Sequence, residues 1–158
     1  MKRVILLSVG FPFGNHEPFL RGELKYHKQL TLASAFMGDE RRVKNNMPDD
    51  VNITLWHYPS PFFRGNKAAR VLSAVGAFFT PDFWRELHSE DIAPVQPHKV
   101  LTLLSFISKA NEIVSFVSNE IEKSDYKNDE LIFYSYWMDH LALAALKLAQ
   151  KYSGKAVT

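Results

Sequence analysis

The stretch Arg3–Leu20, RVILLSVGFPFGNHEPFL, constrains the fold more than any other part of the chain. Val4–Val9 is a short, nearly all-apolar run, the pattern of a strand buried on both faces of a sheet. It breaks at Gly10, and Phe11-Pro12-Phe13-Gly14-Asn15 cannot continue a central strand because proline has no amide hydrogen for the ladder. Proline is tolerated in the first turn of a helix, so a helix is expected to open at Glu17-Pro18. A strand, a glycine-bearing loop and a helix N-terminus can receive an anion. The same residues serve equally as a plain strand-to-helix turn.

The rest of the chain extends this beginning into layers. Phe19, Leu20, Leu24 and His27 give a helical stripe ending near Gln29, and Leu30–Phe36 reads as a second strand. Met37–Asp50 is polar enough for a loop, and Val51–Tyr58 alternates as a third strand stopped by Pro59-Ser60-Pro61. Ala68, Val71, Leu72, Val75, Phe78 and Phe79 recur at helical spacing, which predicts a helix burying that stripe. Thr80 is placed to cap a following helix that starts at Pro81 and turns Phe83, Trp84 and Leu87 to one side. His98–Glu122 is the clearest helix, with small and polar flanks that favour packing on a sheet over a coiled coil. Leu131–Tyr136 reads as a further buried strand. A helix from Leu141 follows, closed by a left-handed Gly154, and Lys155–Thr158 begins a last strand. Strands alternating with helices predict an α/β domain spanning 1–158: a mostly parallel, Rossmann-like sheet with helices on both faces. In such sheets ligands bind beyond the carboxyl ends of the strands, where Gly10–Glu17 and Tyr134–Trp137 fall.

Composition narrows the chemistry. With 46% hydrophobic and 23% charged residues, 158 residues suffice for one ordinary core. The absence of cysteine excludes disulfides, thiolate catalysis and sulfur-bound zinc. The N-terminus MKRVILLSVG imitates a signal peptide, but its apolar part is short and no small-residue cleavage site follows, so a cytoplasmic protein is expected. No apolar run is expected to approach the roughly 18 residues needed to cross a bilayer. A formal charge of +2 gives no case for nucleic acid. Arg41, Arg42 and Lys44 cluster in one loop. Arg64, Lys67 and Arg70 stand beside Phe62 and Phe63, a mixture suited to anionic lipid headgroups or a lipid-diphosphate acceptor. An amphipathic helix pair with a solvated basic face fits that segment as well.

Single residues admit paired readings. Gly14 and Asn15 can offer amides to a phosphate, or Gly14 can simply supply a positive φ. Glu17 can anchor a helix start or accept from a sugar hydroxyl. Phe11 and Phe13 can floor a pocket or pack back on the core. Tyr134, Tyr136 and Trp137 can stack on a sugar or pack inward, with both tyrosines on one face and Ser135 on the other. Asp139-His140 is expected at a helix start or in solvent. His16, His27, His57, His88 and His98 lack metal-ligand spacing.

Three motifs in this order resemble the N-terminal domain of bacterial group 1 glycosyltransferases of the two-domain GT-B type. GFPFGNHEPFLRGEL is similar to that family's first loop and helix, with Glu17-Pro18-Phe19-Leu20 and Glu23 standing for its Glu-x-Phe-(Leu) opening and second acid. Met47-Pro48-Asp49-Asp50-Val51 resembles its Leu-Pro-x-x-Val strand entry. Tyr134-Ser135-Tyr136-Trp137, with Ala142, Ala144-Ala145-Leu146 and Lys155-Ala156, resembles its Tyr-x-Tyr-Trp strand end and following helix. His16 stands where relatives often carry a small residue. The family's Arg-x-His-Gly-(Tyr/Phe)-Asp segment does not occur in this sequence, and nothing in it resembles the family's second domain, whose Glu-x7-Glu pattern holds the nucleotide-sugar. The resemblance therefore implies the front part of a longer protein, without its C-terminal nucleotide-sugar domain.

What the resemblance implies is an acceptor-binding domain of a nucleotide-sugar-dependent hexosyltransferase in cell-surface polysaccharide biosynthesis, with retention of configuration and no metal or other cofactor. The implied partners are a sugar or lipid-linked acceptor and, with the second domain, the nucleotide-sugar. The implied location is the cytoplasm, peripheral to the inner face of the cell membrane. Gly10, Phe13, Gly14, Asn15, Glu17, Tyr134, Tyr136 and Trp137 become the substrate-side candidates. Phe62, Phe63, Arg64, Lys67 and Arg70 become the membrane or lipid-acceptor candidates. No catalytic residue is assigned, and the isolated chain is expected to be inactive. A stand-alone α/β phosphate- or nucleotide-binding module, or a dimer built on the long helix, would use the same sequence differently.

Overall fold

A computed structural model describes residues 2–13, 17–27, 29–34, 52–58, 67–89 and 96–158. Five strands form one all-parallel sheet: β1 (Lys2–Ser8), β2 (Gln29–Ser34), β3 (Asn52–His57), β4 (Glu130–Ser135) and β5 (Lys155–Val157), in the order β3-β2-β1-β4-β5. β1, apolar from Val4 to Leu7, is central, with Leu6 in register with Leu32 on one side and Tyr134 on the other. The helices are α1 (Leu20–Leu24), α2 (Lys67–Phe78), α3 (Pro81–Ser89), α4 (Pro97–Lys123) and α5 (His140–Tyr152). The architecture is α/β and Rossmann-like, as expected from the alternation of strands and helices.

Alternation along β1 explains the layers. Ile5 and Leu7 join Ala110, Ile113, Val117 and Ile121 of α4 and Leu141, Ala144 and Leu148 of α5 in the larger core. Leu6 turns the other way, onto Leu20 and Leu24 of α1 together with Phe11, Leu30 and Leu32. Both faces of β1 are thereby buried. A third cluster, Ala77, Phe83 and Ile107, joins α2, α3 and α4.

Four expectations need correction. The helix after the first loop opens at Leu20, not at Glu17-Pro18, and is only five residues long; Leu20 and Leu24 are buried, while Phe19 is exposed. Thr80 does not cap α3: its hydroxyl donates back to the Ala77 carbonyl at 2.7 Å, closing α2. The left-handed residue after α5 is Ser153, at φ 52°, not Gly154. Gly154 is needed for close approach instead, because a Cβ there would lie 2.5 Å from the Leu131 carbonyl oxygen of β4. The apolar stripe of α2 is not buried: Ala77 is its one buried residue, and Val71, Leu72, Val75, Phe78 and Phe79 are exposed.

The 27-residue α4, about 40 Å long, is by length and composition apolar enough to cross a bilayer. This corrects the expectation that no apolar run approaches that length: Lys109, Asn111 and Glu112 interrupt the apolar residues without lowering the mean hydropathy of the helix enough to exclude it. Ile107, Ala110, Ile113, Val117 and Ile121 face the cores, which accounts for its apolar stripe within a folded domain. The loop Met37–Asp50, with Arg41, Arg42 and Lys44, lies outside the described residues.

Candidate functional site at the carboxyl edge of the sheet

β1 and β4 are neighbours and run parallel, with Leu7 opposite Ser135, so the loops that leave them emerge side by side. One loop continues toward β2 and the other toward β5, on opposite sides of β1 and β4. This divergence of connections is where parallel sheets open a crevice for ligands.

Glu17 holds the two loops together. Its Oε2 accepts from the Ser8 hydroxyl at 2.5 Å and from the Phe11 amide at 3.1 Å. Its Oε1 accepts from the indole Nε1 of Trp137 at 3.1 Å. Ser8 Oγ in turn accepts from the same Phe11 amide at 2.8 Å, so the loop is pinned immediately beyond the strand. Glu17 has φ 51°, a left-handed conformation costing a non-glycine residue about 1–2 kcal/mol. Three hydrogen bonds to one carboxylate offset that cost.

The β4 side is aromatic. Phe19 lies against Tyr136 with ring centroids 4.1 Å apart and meets Trp137 edge-on at 5.9 Å. Tyr136 and Trp137 are 38% and 50% exposed, so rings remain available above the pinned loop. Ser135, fully buried, donates to the Trp137 carbonyl at 2.8 Å and sets the backbone from which the indole projects. Tyr134 donates to Glu23 Oε2 at 2.9 Å. Burial, then this carboxylate, pushes the Tyr134 phenol up to about 12, so it acts as a neutral donor at physiological pH. Val4, Glu23, His27, Ile132, Tyr134 and Val157 line an open depression of about 340 Å³ on the α1 side of the sheet.

Among the substrate-side candidates, Glu17, Tyr136 and Trp137 come together at the edge, and Tyr134 lies one step below them. Gly10 is buried, and its carbonyl accepts from the Phe13 amide at 2.9 Å. Phe13 is 1% exposed and meets His57 edge-on, and Phe11 is also buried, so both loop rings pack back on the core. Gly14, Asn15 and His16 lie outside the described residues, as do Phe62, Phe63 and Arg64. Lys67 and Arg70 are exposed in the first turn of α2.

Sequence reasoning missed Ser8, whose only signal was a polar residue closing an apolar strand one step before the loop. Asp139-His140 does stand at a helix start, as expected, but the two side chains differ in what they do there. Asp139 does cap α5, accepting from the Leu141 amide at 2.7 Å. His140, however, has a side chain only 12% exposed, packed edge-on against Phe106, and its Nε2 has no partner among the described residues. Burial lowers its pKa, partly opposed by Asp139, which keeps the imidazole neutral. Among the described residues no group of three His, Asp or Glu side chains is placed to hold a metal ion.

The fold is that of a Rossmann-like α/β domain, and at its carboxyl edge polar and aromatic side chains join the loops that leave β1 and β4. Comparison with protein-family models, curated proteins and solved structures finds no match.

Proposed function

We propose that the chain is the acceptor-binding, N-terminal domain of a nucleotide-sugar-dependent glycosyltransferase, acting in cell-surface polysaccharide assembly. The observation that carries this reading is the Glu17 carboxylate joined to Trp137, beside the exposed ring of Tyr136. A carboxylate accepts from sugar hydroxyls, and aromatic faces stack on the apolar faces of pyranose rings, so the combination suits a neutral saccharide.

At Phe11, in the described part of the loop, the geometry suits a neutral ligand better than a phosphate. The Phe11 amide is already engaged by Ser8 and Glu17, and the negative carboxylate repels an anion. A helix of five residues supplies little dipole. In the proposed enzyme the departing diphosphate is therefore stabilised by groups other than these, and this chain orients the acceptor.

Titration of the protein with neutral oligosaccharides and, separately, with a nucleoside diphosphate tests the reading through tryptophan fluorescence. The expected result is a saturable saccharide response lost in Trp137→Ala, with no turnover of nucleotide-sugars. Saturable nucleoside diphosphate binding that survives Trp137→Ala, with no saccharide response, would instead establish a nucleotide-binding module.

A further inference from the structure

Alternation along the strands gathers one apolar patch on the α1 face of the sheet. Val4 of β1 lies in register with Ile132 of β4, and Tyr134 of β4 with Val157 of β5, so the four side chains share that face across three neighbouring strands. With five residues, α1 packs Leu20 and Leu24 on Leu6, Leu30 and Leu32 and goes no further. The part of the patch toward β5 stays open, with Val157 48% exposed. What results is the depression of about 340 Å³ whose wall also includes Glu23 and His27. A cavity at the lower end of the usual range for ligand pockets suits a small molecule.

Charge complementarity selects the molecule. Glu23, half-buried, is the carboxylate on this wall. Its Oε2 accepts from the Tyr134 hydroxyl at 2.9 Å, and no cation pairs with it among the described residues. Glu130, at the other end of β4, is by contrast paired with Lys155 and Lys2. Tyr134 remains a neutral donor, so the pair keeps the whole charge of the carboxylate. An anion would be repelled there, and a purely apolar ligand would strip water from an unpaired charge. A single carboxylate offers too few oxygens for a hard metal ion. Val4, Ile132 and Val157 provide apolar walls for a hydrocarbon chain, and the Tyr134 ring provides a π-surface of the kind that attracts ammonium groups.

We infer that this depression is a binding site for a small primary alkylammonium, its nitrogen donating to the Glu23 carboxylate beside the Tyr134 ring and its chain lying on Val4, Ile132 and Val157. The site uses none of the contacts between Glu17 and Trp137 and does not depend on the glycosyl-transfer reading.

The test is titration of the full chain with hexylammonium, followed through the methyl resonances of Val4, Ile132 and Val157 in a proton–carbon spectrum. Hexanol and hexanoate serve as the neutral and anionic controls. A saturable response to hexylammonium is expected, with each control weaker by about ten-fold or more. Glu23→Gln keeps an oxygen for the Tyr134 hydroxyl, and it should lower the hexylammonium affinity about ten-fold or more with an unchanged urea midpoint. Glu23→Asp, which keeps the charge, should retain more of the affinity, and Trp137→Ala should leave the response intact. The absence of any methyl response to hexylammonium overturns the inference. So does equal binding of hexylammonium and hexanol, or equal affinity in Glu23→Gln and the wild type. Loss of the response in Trp137→Ala would move the amine to the sheet edge, and a dimer that shifts the same methyls without amine would give the depression to a second copy; either result overturns it as well.

Discussion

α5 and α2 are helices of similar length, 13 and 12 residues, both rich in alanine and both amphipathic in sequence, yet they meet the domain in opposite ways. α5 turns Leu141 and Leu148 with Ala144, Ala145 and Ala149 onto the sheet, and none of the five is more than 8% exposed. α2 lies on α4, meets it through Ala77 and the hydrogen-bonded Ser73, and leaves Leu72 in solvent. A sheet offers a broad apolar floor that accepts leucines. A neighbouring helix approached through alanine and serine needs small side chains at the contact. Periodicity identifies an apolar side of a helix, but the partner decides which side is buried.

The largest effect should come from the buried side of this contrast. Leu148→Ala is expected to destabilise the domain by about 2–5 kcal/mol in urea unfolding, since Leu148 is fully buried. Leu72→Ala, the same truncation on α2, should stay within about 0.5 kcal/mol. Equal costs at the two positions would end the contrast. Next in size, Ala77→Leu should cost about 1–3 kcal/mol by wedging α2 off α4 and Phe83. An unchanged unfolding midpoint would show that the α2 contact is looser than described.

A smaller effect separates the ends of α3 and α5 by pH. Burial lowers the His140 pKa, so below about 6.5 the unfolded chain takes up the proton first and stability falls. His140→Gln should flatten the stability profile between neutral pH and the folded-state pKa. Asp82, held low chiefly by its hydrogen bond to Lys147, contributes stability that is present above about 3.9 and lost as pH falls through its lower folded value. Asp82→Asn should remove only that acid limb. Thermal unfolding followed across pH measures both, and a His140→Gln profile parallel to wild type would contradict the burial argument.

Much of the fold was legible because it depends on local patterns. The apolar run at Val4–Val9 and the periodicity of His98–Glu122 correspond to β1 and α4 with shifts of one or two residues. Pro81 opens α3 as its fixed φ suggests. The edge site was legible in part: Tyr136, Trp137 and Glu17 were candidates because strand ends carry ligand-facing residues. Their mutual contact was not, since 120 residues separate Glu17 from Trp137 and the pairing exists only once β4 lies beside β1. Ser8, His140 and the direction of α2 were hidden for the same reason. Each depends on what packs opposite, and no local spacing encodes that.

Glu17 joins the loops that leave β1 and β4, and the proposed function makes this edge the place where a saccharide binds. The most direct measurement of this role is the indole N–H resonance of Trp137 in the protein's proton–nitrogen spectrum, distinguished from those of Trp56 and Trp84 by substitution. The resonance is expected to lie downfield in the wild type, to move in Glu17→Gln but not in Glu23→Gln, and to shift saturably on addition of neutral oligosaccharide. A Trp137 resonance unchanged by Glu17→Gln and indifferent to saccharides would contradict it.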